Sequence, residues 1–135
     1  MFEVRVETTF EAGHRRGPDG EELSLHHHEW RVAARARSVD LDHIGLVIDF
    51  RVLRAAIDEV VGILDQRVLE DLDALANVDP TAPNIAEWIY AELESRLATA
   101  TTGASGLEPQ EGYRYWLEAV EVEADEGTRF QYSGG

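Results

Sequence analysis

The sequence predicts an α+β layer fold: a four-stranded antiparallel sheet with two antiparallel helices on one face, in the order ββααββ. Two observations carry this. Apolar and polar residues alternate near both ends of the chain, and apolar residues recur at helical spacing in the middle. Strands flanking a helical pair bury their apolar faces by layering helices on a sheet. The 135 residues, 44% of them hydrophobic, suffice for one domain over 1–135 with a single core.

The first strand covers 2–12, with Phe2, Val4, Val6, Thr8, Phe10 and Ala12 on one face and Glu3, Arg5, Glu7, Thr9 and Glu11 on the other. Residues 15–24 (RRGPDGEELS) read as a polar loop with Gly17-Pro18 and Asp19-Gly20 turn signals. The second strand covers 28–38, setting Trp30, Val32, Ala34 and Ala36 against Glu29, Arg31, Arg35 and Arg37. After a turn and a short extended piece, Asp49 caps a helix over 50–65, whose stripe is Leu53, Ile57, Val60, Val61 and Leu64. Residues 66–80 form an acidic connection with room for one helical turn. Thr81 can cap the second helix, Pro83 fits its first turn, and Ile85, Ile89, Leu93 and Leu97 form its buried stripe. Residues 98–112, small and glycine-containing, read as a flexible insertion. The third strand covers 113–124 with Trp116, Val120 and Val122 on one face, and the fourth covers 128–133.

Composition narrows the chemistry. Cysteine is absent, which removes disulfides, thiolate ligands and a thiol nucleophile, so a transition metal would sit on imidazole and carboxylate. All 12 basic residues are Arg, so lysine Schiff-base chemistry is excluded. The formal charge of −15 is concentrated in 68–135, where 14 acids face 3 Arg. Such a surface disfavours nucleic acid, whose binding relies on neutralising phosphates. No apolar run is long enough to span a membrane, and no basic segment followed by an apolar run opens the sequence. The cytoplasm is the expected location.

The histidines carry the strongest chemical signal. With a side-chain period of two, His26 and His28 share the apolar face of Trp30 and Val32, and His27 points the other way. Extending the first strand puts His14 on the apolar face of Phe10 and Ala12. Two neighbouring strands can thus converge His14, His26 and His28 on one point. Three protein ligands and an open fourth position is the arrangement of catalytic zinc. His43, in a turn before Gly45, reads as an ordinary loop residue.

The ordered strings FEAGH (10–14), LHHHEW (25–30), GLVIDF (45–50), LDQ (64–66), PTAPN (80–84) and VEVEA (120–124) resemble the 6-pyruvoyl tetrahydropterin synthase family, which includes the 6-carboxytetrahydropterin synthases. The resemblance covers nearly the whole chain outside 98–112. It implies a T-fold domain, trimers whose sheets close a barrel, and a homohexamer of two stacked trimers. It implies Zn²⁺ on His14, His26 and His28, and a small-molecule pterin held between subunits by Glu123, with Thr81 beside it. A carboxylate suits that task, since it accepts two parallel N–H bonds from a guanidine-like edge. Apart from the resemblance, Glu123 reads as a solvated strand residue and Thr81 as a helix cap. Arg15 and Arg16, following His14, can meet a substrate triphosphate or simply face solvent.

The family pattern is broken at its proton-transfer groups. The usual cysteine, four residues before the first histidine of H-x-H, is replaced by Glu22, with Glu21 as an alternative occupant. The aspartate of the relay is Asp65, but its histidine is replaced by Gln66, which exchanges no proton near neutral pH. Pro83 stands where the family has glutamate. Glu22 resembles a family branch in which glutamate replaces cysteine and the pterin side chain is cleaved to a hydroxymethyl group. Two functions follow: a zinc-dependent lyase or aldolase-like enzyme on dihydroneopterin triphosphate or a related pterin, with Glu22 and Asp65 catalytic, or a zinc- and pterin-binding homologue without turnover.

Overall fold

A computed structural model describes residues 1–16, 21–42, 45–99 and 115–134. Five strands and two helices follow in order: β1 (Phe2–Arg16), β2 (Glu22–Ser38), α1 (Phe50–Leu64), β3 (Arg67–Val68), α2 (Ala82–Thr99), β4 (Tyr115–Asp125) and β5 (Thr128–Ser133). The expected α+β order is present. The sheet, however, has five strands in the order β3-β1-β2-β4-β5. The added strand, β3, is two residues long and pairs in parallel with Ala12 and Gly13. It lies in the stretch expected to hold one helical turn, which instead carries β3 and two 3₁₀ turns, Leu69–Asp71 and Asp73–Leu75. Such a short edge strand lacks the alternation that marks a strand in sequence.

The long hairpin of β1 and β2 positions the site. Both strands run further than their alternation suggested, β1 to Arg16 and β2 back to Glu22, so much of 15–24 is paired rather than looped. Register runs unbroken from Phe2↔Ser38 to His14↔His26, then shifts before Arg16↔Glu22. Gly13, opposite His27, has a specific role. A Cβ there would lie 2.7 Å from the His27 ring, which covers this glycine. The expected turn at 17–20, His43 and most of the expected insertion at 98–112 lie outside the described residues, although α2 itself extends through Thr99.

One face of the sheet is the core. Val6, Phe10, Ala12, Trp30, Val32, Ala34, Val120 and Val122 meet the stripes of both helices, including Leu53, Ile57, Leu64, Ile85, Ile89 and Leu93. Each fully buried aliphatic side chain among them stabilises the fold by about 1.5–3 kcal/mol. The Asp49 side chain accepts the Arg51 N–H and so caps α1. Trp116 departs from expectation: it is exposed, and Leu117 is buried in its place. The register between β2 and β4 jumps from Ala36↔Leu117 to Arg35↔Ala119, leaving Glu118 as an extra residue. That bulge reverses parity along β4, so Leu117 shares the core face with Val120 and Val122.

The opposite sheet face is charged. Glu121, buried there, lies 3.1 Å from Arg5, 3.3 Å from Arg35 and 3.2 Å from Arg129. Glu3 bridges Arg35 and Arg37, and its hydrogen bond with Arg37 holds its carboxyl below the usual pKa. Among the described residues no helix is long and apolar enough to cross a membrane.

Candidate metal centre

The site is built from the end of the β1–β2 hairpin. His14 and His26 are direct cross-strand partners, and His28 pairs with Ala12 one step along. One potential ligand atom from each imidazole falls within 4.8 Å of the others. His14 is buried, and His26 and His28 are half-buried. Trp30 is the floor: fully buried and stacked on Phe10, it sets its ring 4.9 Å from His14 and 5.0 Å from His28. Its indole N–H donates to the Ala12 carbonyl at 3.3 Å.

The backbone orients all three rings. His14 Nδ1–H donates to the Pro80 carbonyl at 2.8 Å, and His26 Nδ1–H to the Ser24 carbonyl at 3.1 Å. His28 Nδ1–H donates to the Ala124 carbonyl. With each Nδ1 a donor in a neutral ring, each Nε2 is left with a lone pair. The Nε2 atoms of His14 and His28 are 2.8 Å apart. Two such lone pairs face to face repel unless a cation lies between or beside them. Imidazoles on one tetrahedral zinc hold their nitrogens about 3.3 Å apart, from bonds of about 2.0–2.1 Å. The 2.8 Å spacing lies below that value and the 4.8 Å limit on the cluster above it, so the donor set fits zinc. Burial lowers the His14 pKa, assisted by His28 and His26. The Pro80 hydrogen bond and the Glu70 charge oppose the shift. The imidazole therefore stays neutral, the form that ligates a metal.

The remaining sequence candidates are placed differently. Glu22 is the exposed first residue of β2, opposite Arg16 and beyond the register shift. Asp65 ends α1, where its Oδ1 accepts the Glu11 backbone N–H at 2.9 Å. Gln66 follows at φ 62° and donates its backbone N–H to the Glu11 carbonyl at 2.6 Å. Asp65 and Gln66 thus fasten the end of α1 to β1 three residues before His14. Thr81 follows Pro80, the partner of His14, and its carbonyl accepts the Ile85 N–H at 2.9 Å as α2 begins. Arg15 donates its backbone N–H to Glu70 at 2.6 Å.

Glu123 is not brought to the histidines within one chain. It lines a cavity of about 500 Å³ on the charged sheet face with Arg5, Thr9, Arg31, Glu121 and Arg129, and none of the three histidines lines it. Its Oε1 accepts the Gly127 N–H at 2.8 Å across the β4–β5 turn. Sequence reasoning missed the carbonyls of Ser24, Pro80 and Ala124, because any residue type supplies one. It also passed over Trp30 as a floor, although its parity with His28 contained that signal.

Fold and site together define an α+β protein with a three-imidazole cluster at the end of a long hairpin. The model of the family described as 6-pyruvoyl tetrahydropterin synthase matches residues 3–130, and the chain belongs to that family. It is 36% identical over 100 residues to a 6-carboxy-5,6,7,8-tetrahydropterin synthase from Synechocystis, covering 70% of this chain and 76% of that protein. The structure of Caenorhabditis elegans 6-pyruvoyl tetrahydropterin synthase superposes with a TM-score of 0.74 at 19% identity, covering 99% of this chain and 96% of that one. A catalytic-residue mutant of the Plasmodium vivax 6-pyruvoyltetrahydropterin synthase, a glutamate changed to cysteine, superposes with a TM-score of 0.69 at 18% identity, covering 97% and 96%.

Proposed function

We propose that this chain is a zinc-dependent pterin enzyme acting on the side chain of dihydroneopterin triphosphate or a related pterin, by lyase or aldolase-like chemistry. The observation that carries the reading is the triad: His14, His26 and His28 converge, with every Nδ1 committed to a carbonyl. When bound there, zinc would polarise a side-chain hydroxyl or carbonyl of the substrate.

Glu22 is the proposed base. It stands four residues before His26, and a glutamate is the residue altered in the Plasmodium vivax mutants, which are described as catalytic-residue mutants. In cleavage between the first and second side-chain carbons, Glu22 takes the hydroxyl proton and returns one to the pterin-side carbon. Asp65 supports the site as a positioning residue through Glu11. Arg15 is proposed to meet the triphosphate, and Thr81 to lie beside the pterin. Glu123 is proposed to hold the amidine edge of the ring. Its separation from the triad within one chain supports a pterin site completed by a second subunit; the homohexamer of two trimers is proposed from the family resemblance.

A second reading is a zinc- and pterin-binding homologue without turnover, in the cytoplasm like the first. It is favoured by the engagement of Asp65 with a backbone amide and by Gln66 in the relay position. Turnover of dihydroneopterin triphosphate by the wild type, Glu22→Ala and His28→Ala separates the two. The enzyme reading expects activity in the wild type, lost by about 10²–10⁴-fold in Glu22→Ala and abolished in His28→Ala. Tight pterin binding without product in the wild type would establish the second reading.

A further inference from the structure

Glu70 stands on the 3₁₀ turn Leu69–Asp71, directly after β3. Neither the histidine pattern nor the assigned catalytic groups involve it. Its Oε2 accepts the backbone N–H of Arg15 at 2.6 Å, a charge-assisted bond to the residue following His14. The turn beneath it is firmly seated, because Leu69 is fully buried and β3 pairs with Ala12 and Gly13. The Glu70 carboxylate therefore closes the end of β1 at the point where His14 enters the cluster. Its charge also bears on the His14 imidazole, in the direction opposite to burial.

We propose that Glu70 is a positioning residue of the metal site, which holds the His14 end of β1 in place and sets one negative charge near the His14 imidazole. The inference rests on the reading of the triad as a divalent-metal site. Three neutral ligands leave both charges of a bound dication uncompensated, and a nearby carboxylate lowers the energy of the loaded site. The same hydrogen bond sets the backbone from which the Arg15 side chain projects.

The test uses the purified full chain, stripped of metal, and measures Zn²⁺ and Co²⁺ affinity against a competing chelator. Glu70→Gln keeps an acceptor oxygen and removes the charge, whereas Glu70→Ala removes both. At low ionic strength Glu70→Gln is expected to bind Co²⁺ about three- to fivefold more weakly, the scale of an exposed charge. That difference should vanish at about 1 M salt, where screening acts within about 3 Å. Its apo melting temperature and the visible spectrum of its cobalt form should match the wild type. Glu70→Ala is expected to lose about tenfold or more. Wild-type affinity in Glu70→Gln at low salt, or a loss that salt does not change, would overturn the role of the charge. Should Glu70→Ala fail to fold, Glu70→Gln alone decides. His28→Ala retaining full affinity would instead overturn the metal site itself.

Discussion

His14 and His28 set their Nε2 atoms 2.8 Å apart, although each ring already spends its Nδ1–H on a backbone carbonyl, of Pro80 and Ala124 respectively. Two neutral acceptors held that close without a proton between them store repulsion that a cation relieves. The protein is therefore expected to bind about one zinc per chain, and zinc should raise its melting temperature. At 100 times the dissociation constant the gain is about 2.7 kcal/mol. Calorimetry of stripped and reloaded protein measures it; equal melting temperatures would contradict a three-imidazole site.

The stripped protein should lose stability as the solution is acidified. Burial keeps the folded pKa of His14 below its ordinary 6.5, so near and below that pH the unfolded chain binds more protons. The contribution of His14 is fully present above 6.5 and declines as pH falls through it toward the depressed folded value. Urea denaturation at pH 7.5 and pH 5.5 should show the drop, and a His14→Gln variant should show a smaller one.

Asp65 offers a clean distinction between a proton-relay group and a clamp. Asp65→Asn keeps an oxygen to accept the Glu11 N–H and removes the titratable carboxyl. A clamp predicts near wild-type kcat in Asp65→Asn, and in Asp65→Ala a stability loss of about 0.5–1.5 kcal/mol from the lost solvent-exposed hydrogen bond. A kcat that collapses in Asp65→Asn while stability holds would assign it proton transfer.

Gln66 adopts φ 62° just past the end of α1, a conformation that costs a side-chain-bearing residue about 1–2 kcal/mol. Gln66→Gly should therefore raise the unfolding free energy by up to about 1 kcal/mol, because glycine tolerates the angle but gains freedom when unfolded. Destabilisation instead would mean that the Gln66 side chain makes a contact worth more than the strain.

Much of this architecture was legible because the sheet is amphipathic. The alternation through Phe10, Ala12 and Trp30 assigns His14, His26 and His28 to one face, whereas the direct cross-strand pair His14↔His26 is a matter of register, which parity does not give. Parity failed at Trp116, where the single extra residue Glu118 reverses the faces. A bulge leaves no mark in the polarity of neighbouring residues. β3 escaped notice because two residues cannot establish a period. The orienting carbonyls of Ser24, Pro80 and Ala124 escaped because recognition by the main chain has no side-chain signature. Glu70 escaped for a related reason: it is held by a backbone amide rather than by a partner of opposite charge.

Glu123 opens onto the charged face of the sheet while the histidines gather on the helical side, and this partition has a kinetic consequence. The three imidazoles lie within one chain, so at a fixed free-metal concentration their loading would not depend on the protein concentration. If the pterin ring is recognised only where a neighbour supplies the missing half, recognition would fade on dilution while metal content at buffered free zinc would not. Activity per milligram should then fall at low protein concentration in samples whose zinc remains stoichiometric, a loss that added metal would not restore and added protein would.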